Sequence, residues 1–139
     1  MTIVRLSESN SKAFLERFMG FEDGVLTGIR LHLPRVPMAD RTVTFDIQAM
    51  DVTANKEWRL VRVTVGGVHE YQFRSSRQYS YSVLSDGLNL ECTPEQCVLD
   101  LDPGPDEWSP DQVAQQGEYS KQYAIGLWCE YEVLGGPFI

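Results

Sequence analysis

At Val25 the hydrophobic period of this chain changes from 3.6 to 2, and apart from one short stretch the two-residue period carries through to Val133. A chain patterned this way buries alternate residues of extended strands. Before the change, Ser11–Met19 sets Phe14, Leu15, Phe18 and Met19 on one side at helical spacing, with Ser9, Asn10 or Ser11 to cap it and Gly20 to stop it. After it, Val25, Thr27, Ile29, Leu31 and Leu33 share one parity up to Pro34, and Val43, Phe45, Ile47 and Ala49 mark the inward face of a second strand. Trp58–Val65 and Val68–Arg74 flank Gly66-Gly67, a hairpin signal. A three-residue loop there would align Val61 with Phe73 and Val63 with Tyr71, although it puts Val68 where a positive φ is needed. Three short strands follow at Tyr79–Leu84, Leu88–Cys92 and Cys97–Leu101. The longest alternation is Tyr119–Val133, with Tyr119, Tyr123, Ile125, Leu127, Cys129, Tyr131 and Val133 in one row.

Ser109-Pro110-Asp111-Gln112 reads as a capping box, so a short helix is expected near 109–116, ending at Gly117. The expected fold is mainly β (α+β): an antiparallel sheet of six to eight strands, curled or two-layered, with an N-terminal helix, in a single domain over 1–139. At 42% hydrophobic and 23% charged residues the chain has the composition of a folded protein. No disulfide or metal is needed to hold a core of this size.

Twelve Lys and Arg stand against twenty Asp and Glu, a formal net charge of −8. Residues 1–85 hold eleven basic and nine acidic residues, whereas 86–139 hold Lys121 alone against eleven acids. Nucleic acid is disfavoured as a ligand, because binding it needs a surplus of cations. The anionic half favours a basic protein partner; plain solvation is the bland alternative. Met1–Leu6 lacks the apolar run of a signal peptide, and nothing later reaches the length of a bilayer span, so a soluble, cytoplasmic protein without a membrane partner is expected. An odd count of three cysteines agrees with a reducing compartment.

Groups that carry chemistry are sparse. Cys92 and Cys97 flank a turn with Thr93 opposite Gln96, which brings their sulfurs near enough for a disulfide under oxidation; the reduced pair is expected as the native state. Cys129 is far off in sequence and no zinc spacing fits. Asp100, Asp102, Asp106 and Asp111 fall at positions 1, 3, 7 and 12 of a calcium-type loop, but Pro105 occupies the position that requires glycine. His32 and His69 are isolated in strands, without a nucleophile and orienting group in sequence reach. No catalytic residue, metal or cofactor is therefore expected. What remains is a binding surface. On the last strand Trp128, Glu130 and Glu132 share the parity opposite the apolar row, and Tyr79 with Tyr81, and Trp108 with Asp106 and Glu107, repeat the pairing of aromatics with acids. If both faces of the sheet are covered, Trp128 belongs to the core instead.

The helix followed by Arg17-Phe18-Met19-Gly20-Phe21-Glu22-Asp23-Gly24-Val25-Leu26, two strands and a Val-rich hairpin resembles small β-rich bacterial immunity proteins of polymorphic toxin systems. In that group a Gly-Phe-His-Asp-like turn precedes the first strand; Gly20, Phe21 and Asp23 match it, with Glu22 in place of His. The likeness covers the first half of the chain. It implies a cytoplasmic inhibitor that binds one cognate toxin and performs no chemistry. Two other classes stand beside it: a small β-domain enzyme or ligand-binding protein with a pocket between sheet and helix, and a structural subunit that assembles through a strand edge.

Overall fold

The strictest alternation in the sequence becomes the middle of the larger of two sheets. Strand β3 (Thr42–Asp51) buries Val43, Phe45, Ile47 and Ala49 at 0–1% exposure and turns Thr44, Asp46 and Gln48 outward. Its partner β4 (Glu57–Gly66) does the same with Val61, Val63 and Val65. Each such side chain removed from water contributes on the order of 1.5–3 kcal/mol. These elements come from a computed structural model of the chain, which describes residues 2–74, 82–105, 107–113 and 120–135.

Among the described residues the larger sheet has the order β1 (Val4–Arg5), β10 (Trp128–Leu134), β4, β3, β2 (Gly24–His32) and β6 (Val83–Leu84). The smaller sheet runs β5 (Glu70–Phe73), β9 (Gln122–Gly126), β8 (Cys97–Asp100) and β7 (Asn89–Cys92). Every pairing is antiparallel. The fold is thus mainly β and two-layered, with ten strands among the described residues where six to eight were expected. Two differences account for the count: Val4–Arg5 pairs with β10, and the long alternation of 119–133 is two strands in different sheets.

Both divisions occur at glycines. Gly66-Gly67 is not a hairpin turn: β4 pairs with β3 and β10, whereas β5 pairs with β9 in the other sheet, so neither Val61–Phe73 nor Val63–Tyr71 is a pair. Gly67 takes the left-handed conformation (φ +60°), which frees Val68 to enter the core at 2% exposure. The second crossing, Gly126-Leu127, lies against the first. Leu127 N–H donates to the Gly66 carbonyl (2.8 Å) and His69 N–H to that of Ile125 (3.1 Å). A Cβ on Gly126 would collide with the Gly66 carbonyl, and one on Gly66 would fall within the Trp128 ring. Because the chain changes sheets here, the apolar row splits. Cys129, Tyr131 and Val133 face or pack on the main core, while Tyr123 and Ile125 join Val98, Val113 and Trp108 on the outer side of the small sheet, and Leu127 at the crossing is 51% exposed.

Helix α1 (Ser11–Arg17) is shorter than the periodicity suggests, since the chain tightens into a 3₁₀ turn at Met19–Phe21 and Met19 is exposed. Phe14, Phe18 and Phe21 are buried and stack on one another and on Tyr131 of β10, with ring centroids 4.5–6.1 Å apart. Asp51, on the inward parity of β3, clamps the helix end: its carboxylate accepts from Arg17 Nε and Nη2 (3.1 and 2.9 Å) and from Thr53 N and Oγ1. In β2 a bulge between Leu26 and Gly28 resets the parity, so Leu26, opposite Ile47, and Ile29, opposite Phe45, both pack on the core; Leu31 keeps the parity of Ile29 but is 47% exposed, and Leu33 is 40% exposed. The expected inward row of Val25, Thr27, Ile29, Leu31 and Leu33 is therefore broken at Thr27. At 109–116 the described part is a 3₁₀ turn, Pro110–Gln112, with Ser109 Oγ accepting from Asp111 N; residues 114–116 and Gly117 lie outside the described residues. Tyr119 and the Tyr79–Tyr81 part of the expected strand do so as well, and the described remainder of that strand is β6.

The crossing geometry makes Gly126→Ala a damaging substitution, expected to cost about 3 kcal/mol by urea unfolding. Gly28→Ala, whose Cβ would meet Asp46 at 3.8 Å, should stay within about 1 kcal/mol of the parent. Burial pushes the Asp51 carboxyl up, but its bonds from Arg17 and Thr53 outweigh this and hold it below the usual value. Its stabilisation is therefore present above the ordinary carboxylate range and lost as pH falls through the lowered value. Asp51→Ala should cost about 3 kcal/mol near neutral pH, a gap that narrows in acid-unfolding curves.

Candidate functional site

The outer face of the large sheet carries the last-strand residues singled out above, in cross-strand rows set by the register. Glu130 stands beside Thr64, Thr44 and Arg30; Glu132 beside Arg62, Asp46 and Gly28; Trp128 beside Gly66, Thr42 and His32. Trp128 is half-buried, its ring laid over Gly66 on one side and covered on another by the Arg5 guanidinium, 4.4 Å from the ring centroid. Arg5 also pairs with Glu130 at 3.5 Å. Arg62 bonds Asp46 through both Nε and Nη2 (2.8 and 3.1 Å), which lowers the Asp46 carboxyl, and Glu132 adds its field to Arg62. Acids on this face are thus interleaved with arginines.

The uncompensated charge lies elsewhere. Residues 82–113 contain eight Asp and Glu and no Lys, Arg or His. They supply β6, the β7–β8 hairpin and the loop that follows, so Glu91 and Glu95 are exposed on β7 and the hairpin turn, and Asp86, Glu107 and Asp111 on the segments that precede and follow the hairpin. Sequence reasoning found the charge asymmetry but not its placement, which follows from which strands join the small sheet.

Two aspartates of the same stretch turn inward. Asp100 is fully buried and accepts from Ser120 Oγ (2.6 Å), Asp102 N (2.9 Å) and Trp108 Nε1 (2.9 Å). Burial outweighs these bonds and raises its carboxyl above the usual range. Asp102 accepts from Lys121 N and is likewise raised, by burial first. Through Ser120 and Lys121 these two positions of the calcium-type loop tie it to the segment that leads into β9. Trp108 is half-buried on Val98, Val113, Tyr123 and Ile125, and so anchors this loop, while Glu107 is exposed next to it. Asp106, Tyr79 and Tyr81 lie outside the described residues.

The Gly20-Phe21-Glu22-Asp23 turn is built from left-handed backbone: Gly20, Phe21 and Asp23 have φ of +67°, +59° and +61°. Gly20 accepts from Leu88 N–H (3.0 Å), Asp23 N–H donates to Leu84 (2.8 Å), and Phe21 is wholly buried in the aromatic cluster. Asp23 is exposed, as are His32 and His69. Among the described residues no three His, Cys, Asp or Glu side chains are arranged to hold a metal ion, and no helix is long and apolar enough to cross a membrane. No protein-family model, curated protein or solved structure matches this chain.

Removing the indole N–H with Trp108→Phe should leave one Asp100 oxygen unpaired and cost about 1–2 kcal/mol near neutral pH. The deficit narrows in acid as it does at Asp51, although the Asp100 carboxyl is raised where that of Asp51 is lowered. Because burial raises Asp100, the folded state takes up its proton readily, and a neutral carboxyl depends less on the lost donor. Equilibrium unfolding should show the deficit shrinking as pH falls through the raised Asp100 value.

Proposed function

We propose that this protein is a non-enzymatic, acidic binding protein, and more specifically an immunity-type inhibitor that occludes a basic cognate toxin in the cytoplasm. The observation that carries this is the concentration of acids without a single cation in residues 82–113, which form β6, the edge hairpin β7–β8 of the smaller sheet and its flanking segments. A field of one sign on a preformed surface speeds the encounter with a cationic partner and rejects anionic ones, nucleic acid included. The likeness of the Gly20-Phe21-Glu22-Asp23 turn to that of immunity proteins supports the same class. Trp128 and its acid neighbours form a second candidate contact, with Arg5 and Arg62 as the residues a partner's cations would displace. A ligand-binding β domain is the second reading, favoured by an open pocket of about 430 Å³ beside Trp128.

Co-expression with the product of the open reading frame directly upstream tests the proposal: growth should be restored and the two chains should copurify at low salt, separating as ionic strength rises. Glu91→Lys with Glu95→Lys should slow association about tenfold without changing the unfolding midpoint. Glu130→Lys with Glu132→Lys should weaken capture if the large-sheet face also touches the partner, and unchanged affinity would remove that face from the interface. Absence of both rescue and complex would overturn the inhibitor assignment.

A further inference from the structure

Three thiols that are scattered in sequence converge between the sheets. Cys92 and Cys97 are direct cross-strand partners on β7 and β8, and Cys129 comes from β10; all are free and buried. All three belong to one buried core cluster, close enough for Cys97 and Cys129 to act on the Cys92 thiol. Thr93 N–H bonds Gln96 O (2.8 Å) and closes the turn, which makes Cys92–Cys97 the adjoining non-hydrogen-bonded pair. Residues so opposed sit about 4.5 Å apart at Cα, inside the span a disulfide bridges.

All three are 0–2% exposed, but one of them borders an opening. The pocket of about 430 Å³ at this end of the sandwich is lined by Arg5, Leu6, Pro94 and Trp128, and of the three thiols by Cys97 alone. We propose that this pocket admits a small peptide disulfide of the glutathione type, with Cys97 as the attacking thiol and Cys92 as the resolving one. In the first step the Cys97 sulfur, having lost its proton to solvent, bonds to one sulfur of the small disulfide; the S–S bond of that molecule breaks and one small thiol leaves. In the second, Cys92 attacks the Cys97 sulfur, the mixed disulfide breaks and the second small thiol leaves. Two protein thiols are oxidised to one cross-strand disulfide, and one small disulfide is reduced to two thiols.

Arg5, paired with Glu130 and sharing the pocket lining with Glu8, still places a positive charge near Cys97 that favours its thiolate, and it is the group a carboxylate-bearing reagent would meet. The hydrogen bond with Cys129 and burial push Cys92 up to about 12, and the bond with Cys92 and burial push Cys97 up as well. Exchange is therefore slow at neutral pH and accelerates about tenfold per pH unit while the thiols remain largely protonated.

The test uses the folded full chain with oxidised glutathione, alkylation of the remaining thiols and peptide mapping. The expected product links Cys92 to Cys97 and leaves Cys129 free. Cys92→Ser should stop at one glutathionyl group on Cys97, and Cys97→Ser should leave Cys92 and Cys129 unreacted. A Cys92–Cys129 link, first modification at Cys92 or Cys129, or three unchanged thiols in folded protein that react in urea would overturn the proposal. The wild-type map decides this even where a variant fails to fold.

Discussion

Two backbone crossings pressed against each other at Gly66-Gly67 and Gly126-Leu127 hold this architecture together. Each carries a strand from one sheet into the other, and each lacks a side chain where the neighbouring carbonyl or indole needs the space. From that contact follow the registers of β4 with β10 and β5 with β9, and the placing of Trp128 on the outside and Cys129 on the inside. The core between the sheets, closed at its other end by the phenylalanines of α1 and the following turn, follows in turn.

Electrostatics is organised on the same frame. Inward-facing carboxylates, Asp51 and Asp100, are fully furnished with donors, which is the condition for keeping a charge out of water. Outward-facing acids on the large sheet alternate with arginines, whereas those of β7, β8 and the following loop have no cations in their stretch of sequence. Identical residue types thus meet different conditions: hydrogen-bonded burial for Asp51 and Asp100, and open water for the acids of β7 and the hairpin turn.

The parts legible in the sequence are those governed by a single local rule. Strand β3, buried on one face along its whole length, obeys period 2 residue by residue, and the β7–β8 turn follows from Cys92, Thr93, Gln96 and Cys97. Parity fails where backbone geometry resets it: a bulge at Thr27, and a change of sheet at Leu127 that moves Tyr123 and Cys129 to different cores despite their shared row. Gly66-Gly67 was legible as a break but not as a crossing, because a pair of glycines signals freedom without saying which strand lies beyond. Asp51 carried a usable signal, an acid on the buried parity of its strand two residues before Thr53. The convergence of the three cysteines carried none, since it depends on contacts between the sheets.

Strand β4 owes one of its edges to β10, and β10 is separated from it in the chain by the whole smaller sheet. During synthesis the ribosome must therefore deliver β5 through β9 while that edge stands open, with the valines of β4 only half covered. Loop closure over such a distance is entropically slow, and an unpaired edge is a template for neighbouring chains. Nascent protein in this interval has the most to gain from a chaperone.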